Sequence, residues 1–176
     1  YTEVLDTSRG IEWPQWCVGG ELNLVTNCLR RHRDAASWSQ TAIIWEGEHG
    51  EERRWSYAAL EAESARLANG LRARGLGRGD VVALYMPMVP EVAAAFFAIA
   101  RIGAIVMPLF SGFGPRPIRD RLLDSGAKAA ITVDSGWRRG RRVAMKAVLD
   151  EAATEAPAMH TVVVLGHGGD RKSTRL

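Results

Sequence analysis

The 176-residue sequence contains only two cysteines, Cys17 and Cys28, eleven positions apart. That spacing is too wide for a Cys-x-x-Cys redox pair, and the number is too small for a zinc cluster or a disulfide framework. Both are expected to be reduced, buried structural thiols. Long apolar runs are also missing. The longest, Val92 to Phe110, is interrupted by Arg101, Gly103 and Pro108, and a membrane span needs about 20 uninterrupted apolar residues. Tyr1 to Gly10 is polar and no apolar h-region follows it, so the expected location is cytoplasmic. His32, His49, His160 and His167 have no metal-ligand spacing with cysteines or carboxylates. There is no Gly-x-Ser-x-Gly nucleophile elbow and no Gly-x-x-x-x-Gly-Lys phosphate loop. A strong charge of one sign is missing as well. The net charge is +3, and much of it comes from Asp170 to Leu176, so the body is nearly neutral and no bulk nucleic-acid surface is expected.

What is present is ordinary globular composition, 47% hydrophobic and 24% charged, in a pattern that changes along the chain. Tyr1 to about Gly20 is tryptophan-rich and irregular, as suits an arm lying on a larger body. Leu22, Val25 and Leu29 recur at helical spacing, with Arg30 to Arg33 at the carboxyl end of that helix, where the dipole favours cations. Thr41 to Trp45 and Glu52 to Tyr57 flank a glycine-containing turn and read as a hairpin. Ser56 caps a helix whose stripe is Leu60, Ser64, Leu67 and Leu71 and which Gly75 ends. Gly75 to Asp80 precedes a strand, so it is a turn and no dinucleotide fingerprint.

From Val81 onward, strands and helices alternate. Strands are expected at Val81–Met86, Ala104–Leu109, Ala129–Val133 and Thr161–Leu165, with helices near Pro90–Ile102, Pro115–Ser125 and Met145–Glu155. The strands are apolar throughout, as parallel strands buried on both faces are, and Pro90 and Pro115 suit a first helical position. The expected fold class is α/β, with a mainly parallel sheet and flanking helices.

Ligands gather at the carboxyl ends of such strands, where two loops carry chemistry. Phe110-Ser111-Gly112-Phe113-Gly114 leads into a helix amino terminus. It is either a plain tight turn or one that lets backbone approach an anion. Asp134 to Arg142 carries Arg138, Arg139, Arg141 and Arg142 around Gly140, beside Trp137. It is either a solvated charged loop or a set of guanidinium forks for phosphate. Sequential parallel strands are usually neighbours, which would put both loops at one sheet edge and suggest a site for a phosphate-bearing ligand. A non-catalytic α/β binding module is the alternative of a different class.

Several segments together resemble the acetyl-CoA synthetases of the adenylate-forming superfamily. They are Gly19-Gly20-Glu21-Leu22-Asn23, Asn27-Cys28-Leu29 with His32, Ile44-Trp45-Glu46-Gly47, Gly79 to Glu91, and Ser111-Gly112-Phe113-Gly114-Pro115. The resemblance covers roughly Ile11 to Leu165 and points to the acetate and propionate branch. It implies residues 1–40 as an amino-terminal arm and helix, residues 41–169 as the start of an AMP-dependent synthetase/ligase domain, and partners acetate (or another carboxylic acid), ATP, Mg²⁺ and CoA. It also implies that Arg138 and Arg141, with Phe110, Ser111 and Gly112, meet the nucleotide end of CoA. Acetyl-CoA synthetases commonly carry glycine where this chain has Ser111. The phosphate loop, acyl pocket, ribose-binding aspartate and adenylating lysine of such enzymes are expected beyond Leu165, so no catalytic residue is expected here and the chain alone is expected to be inactive. Residues 170–176 resemble a translated sequencing adapter and are expected to be a non-native tail.

Overall fold

A computed structural model describes residues 1–167; the tail expected at 170–176 lies outside the described residues. The chain opens with an antiparallel hairpin, β1 (Glu3–Asp6) and β2 (Gln15–Val18), where the sequence suggests an irregular arm. Cys17, expected to be buried, lies exposed on β2 with a positive φ of 50°, and Cys28 is half-buried. A two-stranded ribbon with no third layer has no interior in which to bury a thiol.

The first helix is shorter than the apolar spacing suggests. α1 is Leu24–Cys28, because Asn23 caps it by accepting the Val25 N–H at 3.0 Å. Leu22 is thereby left outside the helix and exposed, while Val25 and Leu29 are buried. Two 3₁₀ turns follow, Arg30–His32 and Ala36–Ser39. β3 (Thr41–Glu46) and β4 (Glu52–Ser56) form the expected hairpin. Ser56 then caps α2 (Tyr57–Ala73), its Oγ accepting from Ala59 N–H at 3.1 Å. At the far end Gly75 takes φ +79°, letting its N–H reach the Arg72 carbonyl and the Leu76 N–H reach that of Leu71. This Schellman closure needs a left-handed residue.

The alternating region holds β5 (Val81–Tyr85), α3 (Pro90–Arg101), β6 (Ile105–Pro108), α4 (Pro115–Ser125) and β7 (Ala129–Val133). A short antiparallel pair follows, β8 (Gly136–Arg138) with β9 (Arg141–Val143), then α5 (Met145–Ala153) and β10 (Thr161–Leu165). The fold is α/β: the main sheet is four-stranded and parallel, in the order β10-β7-β5-β6.

This order corrects one expectation. β6 and β7 are consecutive parallel strands but not neighbours, because β5 lies between them. The chain steps from β5 outward to β6, then crosses back over β5 to β7. Right-handed crossovers in opposite directions put their helices on opposite faces. The packing agrees, with α2 against α3 and α4 against α5. The central strands β5 and β7 are buried almost throughout and the edge strands β6 and β10 only in part, so the fully apolar pattern of the centre reflects cover on both faces.

A second cluster ties the amino-terminal segment to this body. Val25, Leu29, Leu60 and Ala94 pack together with Ile43, Trp55 and Phe97 around them. Beside it Glu61, only 6% exposed, meets Arg101 at 2.5 Å, Arg33 at 3.1 Å and Arg30 at 3.5 Å. Burial pushes its carboxyl up, but the Arg101 hydrogen bond and the charges of Arg101 and Arg33 outweigh this and hold it below the usual range. Among the described residues no helix is long and apolar enough to cross a membrane.

Candidate functional site

β5 sends the chain towards β6, while β7 sends it the other way, towards β10. Their carboxyl ends therefore form a topological switch point, the place where open α/β sheets leave a crevice. The glycine turn and the arginine segment both stand at this end of the sheet.

The turn is braced from below. Tyr85, fully buried at the end of β5, donates its hydroxyl to the Phe113 carbonyl at 3.1 Å, with the Ser111 carbonyl at 3.5 Å. Burial pushes the phenol up, partly offset by Arg138, so it remains a donor at neutral pH. Phe113 N–H closes the turn on the Phe110 carbonyl at 2.9 Å. The Phe110 and Phe113 rings meet edge to face at 5.5 Å, and Phe110 stays 55% exposed. α4 then starts with Pro115 and Pro117, so its first turn offers few N–H donors. Its dipole still favours an anion, but hydrogen bonding to one falls mainly on other groups.

The second loop, the charged segment from Asp134 to Arg142, folds as a tight hairpin. Arg139 and Gly140 have φ of +51° and +70°. Positive φ at both central residues marks a type I′ turn, whose twist suits a two-residue hairpin. The register sets Arg138 opposite Arg141 and Trp137 opposite Arg142, and directly opposed residues share a face. The Arg138 guanidinium stacks over Phe110, 4.8 Å from the ring centroid. Arg141 is exposed, with no side-chain hydrogen bond or ion pair among the described residues. Arg142 turns back to donate to Ser135 Oγ at 2.9 Å.

Gly112 fits against this pair closely. A Cβ there would fall 2.6 Å from Arg138 Nη1 and 2.7 Å from the Phe110 ring. Phe110, Gly112 and Arg138 thus converge, Ser111 sits in the same turn, and Arg141 shares the Arg138 face of the hairpin. The two loops meet although their strands are not adjacent. The hairpin lies across the end of β5, where buried Gly136 packs closely on Pro87 and Met145: a Cβ there would come 3.3 Å from the proline ring and from Met145 Sδ, a tight approach.

Two features escape a reading of the sequence. Tyr85 is a lone hydroxyl in an apolar strand, a signal that could have marked it. Glu48, whose carboxylate accepts the N–H groups of Arg139 and Gly140 at 2.9 Å each, is distant in sequence and carries no such signal. Among the described residues no group of three or more His, Cys, Asp or Glu could hold a metal ion.

The AMP-binding enzyme family model matches residues 30–176. The chain is 44% identical over 162 residues to the acetyl-coenzyme A synthetase of Gemmatimonas aurantiaca, covering 90% of this chain and 25% of that protein. It is 42% identical over 168 residues to that of Deinococcus radiodurans, covering 93% and 26%. With that of Mycolicibacterium smegmatis it shares 41% over 170 residues, covering 96% and 18%. The chain spans about a quarter or less of the length of these curated relatives. Because the family match runs through the sheet, the glycine turn and the arginine hairpin together, the chain belongs to the AMP-binding enzyme family.

Proposed function

We propose that this chain carries the CoA-nucleotide contact surface of an ATP-dependent acid–thiol ligase acting on acetate, with propionate or another short acid as the alternative substrate. The observation that supports this best is the convergence of Arg138 on Phe110 and Gly112 with Arg141 directly opposite it. Two guanidiniums on one hairpin face suit phosphate oxygens, and the exposed Phe110 ring offers a flat partner for a purine. The relatives' name, acetyl-coenzyme A synthetase, accords with a CoA nucleotide as that ligand.

In the whole protein, such a ligase couples ATP to formation of an acyl-adenylate and then passes the acyl group to the CoA thiol. The residues described here bind and orient; none is assigned a bond-making step. Residues 1–40 serve as the arm and residues 41–169 as the opening of the ligase domain, in a cytoplasmic protein. The chain by itself does not activate the acid.

Calorimetric titration of the chain with CoA, adenosine 3′,5′-bisphosphate and pantetheine tests the reading. Both nucleotide-bearing ligands should bind and pantetheine should not. Arg138→Ala and Arg141→Ala should each weaken nucleotide binding by about tenfold or more, as loss of a charge-assisted hydrogen bond does. Absence of nucleotide binding would sink the reading. Salt-dependent duplex DNA binding that CoA does not compete would favour a non-catalytic module instead.

A further inference from the structure

The arginine hairpin should not hold its shape unaided. Each strand has three residues, and an isolated two-stranded pair is marginal in water. Its register also opposes Arg138 to Arg141, and like charges directly across a ladder destabilise it.

A second hairpin supplies the missing restraint. Glu48, in the loop between β3 and β4, accepts the Arg139 N–H on one carboxylate oxygen and the Gly140 N–H on the other, both at 2.9 Å. The two N–H groups converge because both residues have positive φ, a backbone nest that suits an anion. Next to it the His49 ring meets Trp137 edge-on at 5.0 Å. The base of this clasp is anchored in the body. Trp45 Nε1 donates to the Met88 carbonyl at 2.5 Å, and Arg53 pairs with Glu91 at the start of α3.

We propose that Glu48 is a positioning residue for the nucleotide site, holding the arginine hairpin so that Arg138 and Arg141 face the Phe110–Gly112 turn; this rests on the nucleotide reading above. Two effects compete. A carboxylate near an anionic ligand repels it, but between exposed charges in physiological salt that repulsion is screened and changes affinity by about twofold at most. Losing the order of two arginine side chains costs roughly five-fold or more. Positioning therefore outweighs repulsion, and removing the carboxylate weakens binding.

The test uses the 176-residue chain with adenosine 3′,5′-bisphosphate as the probe, together with amide NMR spectra of the ligand-free chain. Glu48→Ala should weaken binding at least about five-fold. Glu48→Gln, whose amide oxygen still accepts one of the two N–H groups while its NH2 cannot accept the other, should recover part of the loss. Without ligand, Glu48→Ala should shift the amides of Phe110 and Gly112 as well as those of Arg139 and Gly140. If the unsubstituted chain binds and Glu48→Ala binds equally or more tightly, the proposal is overturned. If the unsubstituted chain does not bind, the nucleotide reading fails, and the spectra decide the clasp separately: shifts confined to Arg139 and Gly140 overturn it.

Discussion

The buried Tyr85 hydroxyl donates to the Phe113 carbonyl at 3.1 Å, joining the central strand of the sheet to the turn that carries Phe110 and Gly112. A turn held from beneath in this way keeps its exposed face free for a ligand. Tyr85→Phe removes the donor and leaves the carbonyls of Phe113 and Ser111 poorly satisfied. The expected loss is about 1 kcal/mol of unfolding free energy, with weaker nucleotide binding. Urea unfolding and calorimetry on the variant check this, and unchanged affinity would detach Tyr85 from the site.

Gly112→Ala separates site geometry from fold. The added Cβ meets Arg138 and Phe110 at under 3 Å, and both are side chains that can swing away. Global stability should change by less than about 1 kcal/mol, while nucleotide affinity falls several-fold as Arg138 is displaced. Equal affinity for the variant would show that Arg138 does not need its place on Phe110.

The Glu61 cluster predicts how stability follows pH. Its carboxyl is held below the ordinary value in the fold, so its contribution is present above the unfolded value of about 4.3 and is lost as pH falls through the folded value. Glu61→Gln leaves Arg101, whose side chain is 9% exposed, without its charge partner and should cost about 3 kcal/mol at pH 7. Denaturant titrations at pH 7 and pH 4 should find a smaller pH dependence in the variant than in the parent chain. The same slope in both would assign the effect to other carboxylates.

Ala94, Ala95 and Ala98 are buried on α3, Ala98 with no exposed surface, and their small side chains let α3 lie close to its neighbours. Ala98→Leu should overpack this contact and destabilise the chain by roughly 1–3 kcal/mol. Thermal unfolding followed by circular dichroism measures it, and a stabilised variant would contradict the close packing.

Much of the architecture was legible in the sequence because the signals act within a few residues. Ser56 caps α2, Pro90 and Pro115 open α3 and α4, and the apolar runs at Val81 and Ala129 form the buried centre of the sheet. The short reach of such signals also explains the misses. Leu22 has helical spacing with Val25, yet the Asn23 cap excludes it. The positions of Phe110, Ser111, Gly112, Arg138 and Arg141 in two loops at the carboxyl ends of strands could be read from local order alone.

Strand order could not, since it depends on the direction of each crossover and on which faces are covered, and local pattern carries neither. The tertiary structure alone put β5 between β6 and β7 and let the arginine hairpin reach the glycine turn across it. It alone buried Glu61 among three arginines, and it alone brought Glu48 to a turn 91 positions away. Backbone propensity and capping are decided by neighbours along the chain. The convergence of charge, ring and carboxylate into one site is decided by packing, which depends on the whole sheet.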